Sequence, residues 1–156
     1  MIKKIISGGQ TGADQGGLEA GKILGLETGG IAPIGYYTED GYKPSLLRDF
    51  GLTESAHSGY YDRTEENVKN SDSTVIFGLT TSPGSKLTLN LCQRYSKPTL
   101  LLCDIEDLDD FTEDLLEWLK AHSIQVLNVA GNRESKNPGI QTKVRNFLVE
   151  ALKEKK

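Results

Sequence analysis

The chain has 156 residues, 37% of them hydrophobic and 26% charged, with a formal net charge of −4 at pH 7. That length points to one domain, residues 1–156, with a substantial core. The acidic balance excludes a general nucleic-acid binder, which needs a basic face. No apolar run approaches the roughly 20 residues of a membrane span. Met1-Ile2-Lys3-Lys4 runs into an expected strand without the apolar stretch of a signal peptide. A cytoplasmic protein with no membrane and no nucleic-acid partner is therefore expected.

Taken in chain order, residues 3–7 read as a strand and 14–25 as a helix whose Gly17, Ala20 and Gly21 allow close packing. Residues 30–34 read as a second strand, 36–59 as a long loop rich in Gly, Tyr and charge, and 62–71 as a short helix. Residues 73–78 form a third strand and 84–95 a helix. The continuous apolar run at 98–103 predicts a strand buried on both faces. Leu108, Phe111, Leu115 and Leu119 make a helical stripe before a strand at 124–129. Ile140, Val144, Phe147, Leu148 and Leu152 make a second stripe, and the Lys-Glu-Lys-Lys tail suits its dipole. Alternating strands and helices predict an α/β, three-layer Rossmann-like fold, with a mostly parallel central sheet and helices on both faces. Cys92 and Cys103 sit in apolar contexts and are expected to be reduced core thiols.

In such a sheet, ligands gather beyond the carboxyl ends of the strands. The first post-strand loop is Ser7-Gly8-Gly9-Gln10-Thr11-Gly12-Ala13-Asp14-Gln15-Gly16-Gly17, with five glycines. It matches neither a dinucleotide fingerprint nor a Walker motif. A glycine-rich turn at a helix N-terminus is an anion cradle, with free N–H groups supplemented by the Gln10 and Thr11 side chains. The same turn could serve packing alone. Asp14 is either the N-cap of the helix or a ligand contact.

The second loop, Leu79 to Thr88, sets hydroxyls, Gly84 and Lys86 at a helix start. It reads as another anion-friendly terminus or as ordinary capping by Ser82 or Ser85 beside a solvated lysine. The third, Asn128 to Ser135, carries Arg133, suited to bidentate oxyanion binding or to an ion pair with Glu134. Asp62 and Glu65 fit a capping box. Arg63 in that first turn opposes the helix dipole, which points to a further partner such as a bound anion. Tyr36 to Tyr42 could form a lid or an oligomer surface. Glu39, Asp40 and Asp104 fit no metal motif. His57 and His122 are isolated, so neither a metal set nor a catalytic triad can be assembled.

Several motifs carry a resemblance. They are Ser-Gly-Gly-Gln-Thr-Gly-Ala-Asp at 7–14, Gly-Tyr-Tyr-Thr-Glu-Asp-Gly at 35–41 and Tyr-Tyr-Asp-Arg-Thr-Glu-Glu-Asn-Val at 60–68. Ser-Asp-Ser-Thr-Val-Ile-Phe at 71–77, Lys-Pro at 97–98 and Asn-Val-Ala-Gly-Asn-Arg-Glu-Ser at 128–135 join them. Together they resemble the putative molybdenum carrier family, related to molybdenum cofactor carrier proteins within the LOG and lysine-decarboxylase-like Rossmannoid group. The resemblance implies a Rossmann-like fold, a homo-oligomer (dimer or tetramer), and binding of the molybdenum cofactor or another phosphate-bearing pterin or nucleotide. By position, the binding residues it implies are Gly8, Gly9, Gln10, Thr11, Gly12, Arg63, Lys86, Thr88 and Arg133. LOG-type phosphoribohydrolases carry Pro-Gly-Gly-x-Gly-Thr followed by a catalytic Glu. Here Pro83-Gly84-Ser85-Lys86-Leu87-Thr88 is followed by Leu89-Asn90-Leu91, with no acid. Gly-Gly-Thr and a Pro at the position of Asn132 are also expected of the carrier-like family and are absent. The expectation is a non-catalytic carrier of a small phosphorylated ligand. The alternative is a LOG-like nucleotide-processing enzyme or a nucleotide-derivative sensor.

Overall fold

The computed structural model describes residues 1–56 and 60–153; His57 and the last three residues of the basic tail lie outside them. In chain order the elements are β1 (Lys4–Ile6), α1 (Ala13–Leu24), β2 (Glu27–Ala32), β3 (Tyr37–Thr38), β4 (Gly41–Tyr42), α2 (Pro44–Asp49) and β5 (Leu52–Glu54). They continue with α3 (Tyr60–Asn70), β6 (Ser73–Phe77), α4 (Pro83–Arg94), β7 (Thr99–Leu102), α5 (Thr112–Ala121), β8 (Val126–Gly131) and α6 (Ile140–Leu152). Six strands form one sheet in the order β5-β2-β1-β8-β6-β7, every pairing parallel. β3 and β4 make a separate antiparallel hairpin. Helices cover both faces, so the fold is the expected α/β Rossmann-like one.

The two faces differ. Ile5, Val75, Phe77, Leu127 and Val129 belong to the main core, with Leu115, Val144, Phe147 and Leu148 from α5 and α6. α1 is wedged between this sheet face and α6, and its glycines explain how. A Cβ at Gly17 would lie 2.7 Å from Val129 Cβ, and one at Gly16 would lie 2.6 Å from the Gln141 carbonyl. Alternation along each strand sends the intervening residues to the other face. There Thr74, Asn128 and Ala130 are small or polar, and the apolar cluster under α3 and α4 is limited to Val68, Leu91 and Cys92 with their neighbours. Ile6 and Ile76 also face this side, but beside them Thr74, Asn128 and Ala130 leave space beneath α3 and α4.

Four expectations need correction. The segment 36–59, read as a loop, contains the β3–β4 hairpin, α2 and the edge strand β5; pieces of two to six residues are too short for periodicity to register. β2 begins at Glu27, because Gly29 and Gly30 hide a strand whose backbone is paired on both sides. β7 is an edge strand and not one buried on both faces: it pairs with β6 alone, and Leu101 is 42% exposed. Cys92 is buried as expected, whereas Cys103, just past that edge strand, is exposed. Among the described residues no helix is long and apolar enough to cross a membrane.

Candidate functional site

The strand order reverses between β1 and β8. The loops after β1, β6 and β8 meet there, where this class of sheet opens a crevice. A cleft of about 1200 Å³ lies at that point, roofed by α3, the start of α4 and the β3–β4 hairpin. It exceeds what a bare oxyanion would fill and matches or exceeds typical small-molecule sites of roughly 300–1,000 Å³. Of the residues expected to bind, Gly8, Gln10, Arg63, Thr88 and Arg133 line it. Gly9, Thr11, Gly12 and Lys86 are not in the lining, and Lys86 is exposed.

The glycine loop does not present a row of free amides. Gly9 N donates to Ser7 Oγ (3.2 Å), Gln10 N to Asp14 Oδ2 (3.2 Å), Thr11 N to Gln10 Oε1 (3.1 Å) and Gly12 N to Gln141 Oε1 (2.9 Å). Ala13 N donates to the Asn132 carbonyl at 3.1 Å. The loop is held by internal partners because it is squeezed between α6 and the 132–134 segment. Gly12 has φ +85, and a Cβ there would press on the Asn132 carbonyl and lie 2.7 Å from the Glu134 amide. Gly12, not Asp14, is the N-cap of α1.

Asp14 is instead a buried carboxylate of the cleft. It is 7% exposed, and its Oδ2 lies 3.7 Å from Arg63 Nη1. Burial pushes its pKa from 3.8 up to about 6, against the opposing pull of Arg63, the Gln10 and Gly8 amides and Arg133. Arg63, misplaced for the dipole of α3, thus has a carboxylate beside it. A Cβ at Gly8 would fall on the Arg63 guanidinium, so the glycine makes room for that arginine. Asp62 lies inside the first turn of α3, since the helix starts at Tyr60, and so does not cap it. Glu65 accepts from the Tyr95 hydroxyl (2.9 Å) and does not close a capping box.

The start of α4 differs in kind from the glycine loop. Ser82 is its N-cap and accepts from Ser85 N at 3.2 Å, with Pro83 in the first turn. Ser85 borders the cleft, and its hydroxyl is buried with no hydrogen-bond partner among the described residues. A Cβ on neighbouring Gly84 would meet nothing within 4 Å. A hydroxyl with an unmet hydrogen bond at a helix N-terminus bordering the cleft could donate to an oxyanion once its rotamer turns toward it. Thr88 Oγ1 is turned back onto the Gly84 carbonyl (3.0 Å). Arg133 and Lys136 border the same cleft. The Glu134 carboxylate is occupied by the Gly139 (2.6 Å) and Gln141 (3.0 Å) amides, and so is not the simple partner of Arg133.

Glu39, in the turn of the β3–β4 hairpin, ties three loops together. It accepts from Ser135 Oγ (2.6 Å), Ser135 N (3.1 Å) and Thr11 Oγ1, while its own amide donates to Gln10 Oε1 (2.8 Å). Partial burial works against its charge, but the Ser135 and Thr11 bonds outweigh it and hold its pKa below 4.5. Gln10 and Thr11 therefore serve the hairpin, the former while still bordering the cleft. Asn132, where the resemblance led proline to be expected, clamps the loop after β6. Its Oδ1 accepts from Leu79 N and its Nδ2 donates to the Leu79 carbonyl, both at 2.9 Å. Sequence reasoning singled out neither Asn128 nor Lys136 in the lining; a lone Asn in a strand and a loop lysine carry no signal by themselves.

The sequence matches the model of the Circularly permutated YpsA SLOG family over residues 5–152. The fold is similar to the crystal structure of the Putative molybdenum carrier protein from Syntrophus aciditrophicus SB, with a TM-score of 0.90 and 37% identity, covering 97% of this chain and 95% of that one. No curated protein matches the chain.

Proposed function

The chain belongs to the circularly permutated YpsA SLOG family, and we propose on that premise that it binds and carries a small phosphorylated cofactor, with the molybdenum cofactor as the first candidate. The name of its structural relative supports a carrier role. The observation that carries the reading is the buried, unpartnered Ser85 hydroxyl at the start of α4, in a cleft bordered by Arg63 and Arg133. A phosphate there would accept from Ser85 and meet the guanidinium groups, which suit bidentate oxyanion binding. The cleft's volume leaves room for a pterin or nucleotide attached to that phosphate.

In this reading Arg63, Arg133, Gly8, Gln10 and Thr88 contact the ligand. Gly9, Thr11 and Gly12 shape the loop behind them, and Lys86 contributes charge from outside. The protein works in the cytoplasm as a homo-oligomer and performs no chemistry on its cargo. Mass spectrometry of what copurifies with the native protein tests this. A phosphorylated pterin or nucleotide that is lost in Arg133→Ala supports the reading. Native protein that binds no phosphorylated compound, including the molybdenum cofactor supplied directly, refutes it.

One observation favours the alternative of a nucleotide-processing enzyme. Asp14 is a cleft carboxyl with a pKa near 6, suited to general acid–base work at neutral pH, although no acid follows Thr88. Incubation with nucleoside monophosphates decides it: free base released by the native protein and not by Asp14→Asn would replace the carrier reading.

A further inference from the structure

We propose that the β3–β4 hairpin is the ring-recognition wall of the cleft, with Tyr37 and Tyr42 taking the flat face or edge of a planar heteroaromatic group on the phosphorylated ligand. The inference rests on the phosphorylated-ligand reading and adds to it the class of group attached to the phosphate and the residues that select it. Tyr37 and Tyr42 are cross-strand partners, with ring centroids 5.2 Å apart and planes at 67°. Both line the cleft that Arg63, Arg133 and Ser85 border, yet they are 52% and 69% exposed. Rings that exposed add little to the core, so the fold alone does not explain their placement.

The rings are nevertheless pre-set. Gly35 has φ +74, and a Cβ there would lie 2.8 Å from two carbons of the Tyr42 ring, so that ring rests on bare backbone. The Gly35 amide is in turn fixed to Glu54 Oε2 at 2.6 Å, and Lys43 N closes the hairpin base on the Tyr36 carbonyl at 2.9 Å. A hairpin with two residues per strand is marginal in water. This one is held at its tip by Glu39, bonded to Ser135 and Thr11 on the loops that form the cleft floor. The same carboxylate therefore registers the tyrosines against the cleft. Pro33 and Ile34 extend the wall with apolar surface. An aromatic edge pair on the wall of a cleft that Arg63 and Arg133 also line fits a ligand that joins a flat ring to a phosphate. Stacking on aromatic side chains tolerates different rings because each has a π-face.

Calorimetric titration with guanosine 5′-monophosphate and the molybdenum cofactor as ring-bearing probes, and ribose 5-phosphate as the ringless one, tests the inference. Tyr42→Ala and Tyr37→Ala should each weaken the tighter ring-bearing probe roughly tenfold or more. They should leave ribose 5-phosphate within about twofold, and Tyr42→Phe should retain the ring affinity. Equal losses for ringed and ringless probes, or no loss for either, would overturn the ring wall while leaving the phosphate reading standing. A change of oligomeric state in the alanine variants with ring affinity intact would make the patch a contact between copies and overturn it too. Failure of the native protein to bind any of the three would remove the phosphate reading and the ring wall together.

Discussion

Arg63 Nη1 lies 3.7 Å from Asp14 Oδ2, so two charged side chains from α3 and α1 face each other inside the cleft that neither sequence motif alone defines. The pair explains why a cation is tolerated in the first turn of a helix, where the dipole opposes it. It also sets a pH signature. The native state holds the Asp14 proton more tightly than the unfolded chain, with a pKa of about 6 against 3.8. The carboxyl's contribution to stability therefore falls as pH rises through about 4 to 6, and its full penalty remains above that window. Comparing native and Asp14→Asn unfolding at about pH 4 and pH 7 should show the native protein losing on the order of 2–3 kcal/mol relative to the variant. A flat difference would mean that Asp14 titrates as an ordinary carboxyl.

Glu39 should behave in the opposite sense. Its hydrogen bonds favour the ionised form, so its hold on the hairpin is present above the ordinary glutamate range and lost as pH falls through its lowered pKa. Glu39→Ala should speed amide exchange of residues 37–42 by at least about tenfold, one hydrogen-bonded anchor of roughly 1.5 kcal/mol or more being removed. Exchange in β6 and β8 should stay unchanged. If the hairpin exchanges at its native rate in the variant, Glu39 is not the latch.

Two glycines at helix starts should respond in contrary ways. Gly12→Ala forces a Cβ against the Asn132 carbonyl at φ +85 and should lower stability by about 2–4 kcal/mol. Gly84→Ala points into open space and should change stability by less than about 1 kcal/mol, on the favourable side. Chemical denaturation measures both; a tolerated Gly12→Ala would contradict the packing of this loop against the 132–134 segment.

Asn132→Ala removes both bonds to the Leu79 backbone and should lower stability by about 2–3 kcal/mol. Thermal unfolding checks this, and a shift near zero would mean that the loop after β6 is held by other contacts.

The fold was largely legible in the sequence because its long elements carry strong periodicity: α1, α4, α6, β1 and β6 lie where the apolar spacing puts them, and β8 starts two residues later than the 124–129 read for it. Between Tyr36 and Ala56, recognition failed because that stretch is stabilised by single contacts such as Glu39 to Ser135, 96 positions apart, which no local pattern encodes. The candidate site was legible as a convergence of three loops. The division of labour within it was not. Glycine density marked the loop after β1 as an anion cradle, yet its amides turn inward because α6 supplies Gln141 to Gly12. The sequence left capping open between Ser82 and Ser85; Ser82 supplies it, which leaves the Ser85 hydroxyl without a partner among the described residues.

The measurement that bears most directly on the account is calorimetric titration of the native protein and Ser85→Ala with the molybdenum cofactor and with nucleoside monophosphates. The native protein should bind a phosphorylated compound, and the affinity should fall about tenfold when the Ser85 hydroxyl, one donor to a charged acceptor, is removed. Undiminished affinity in Ser85→Ala would contradict the placement of the phosphate at the start of α4, and the absence of any phosphorylated ligand would contradict the account as a whole.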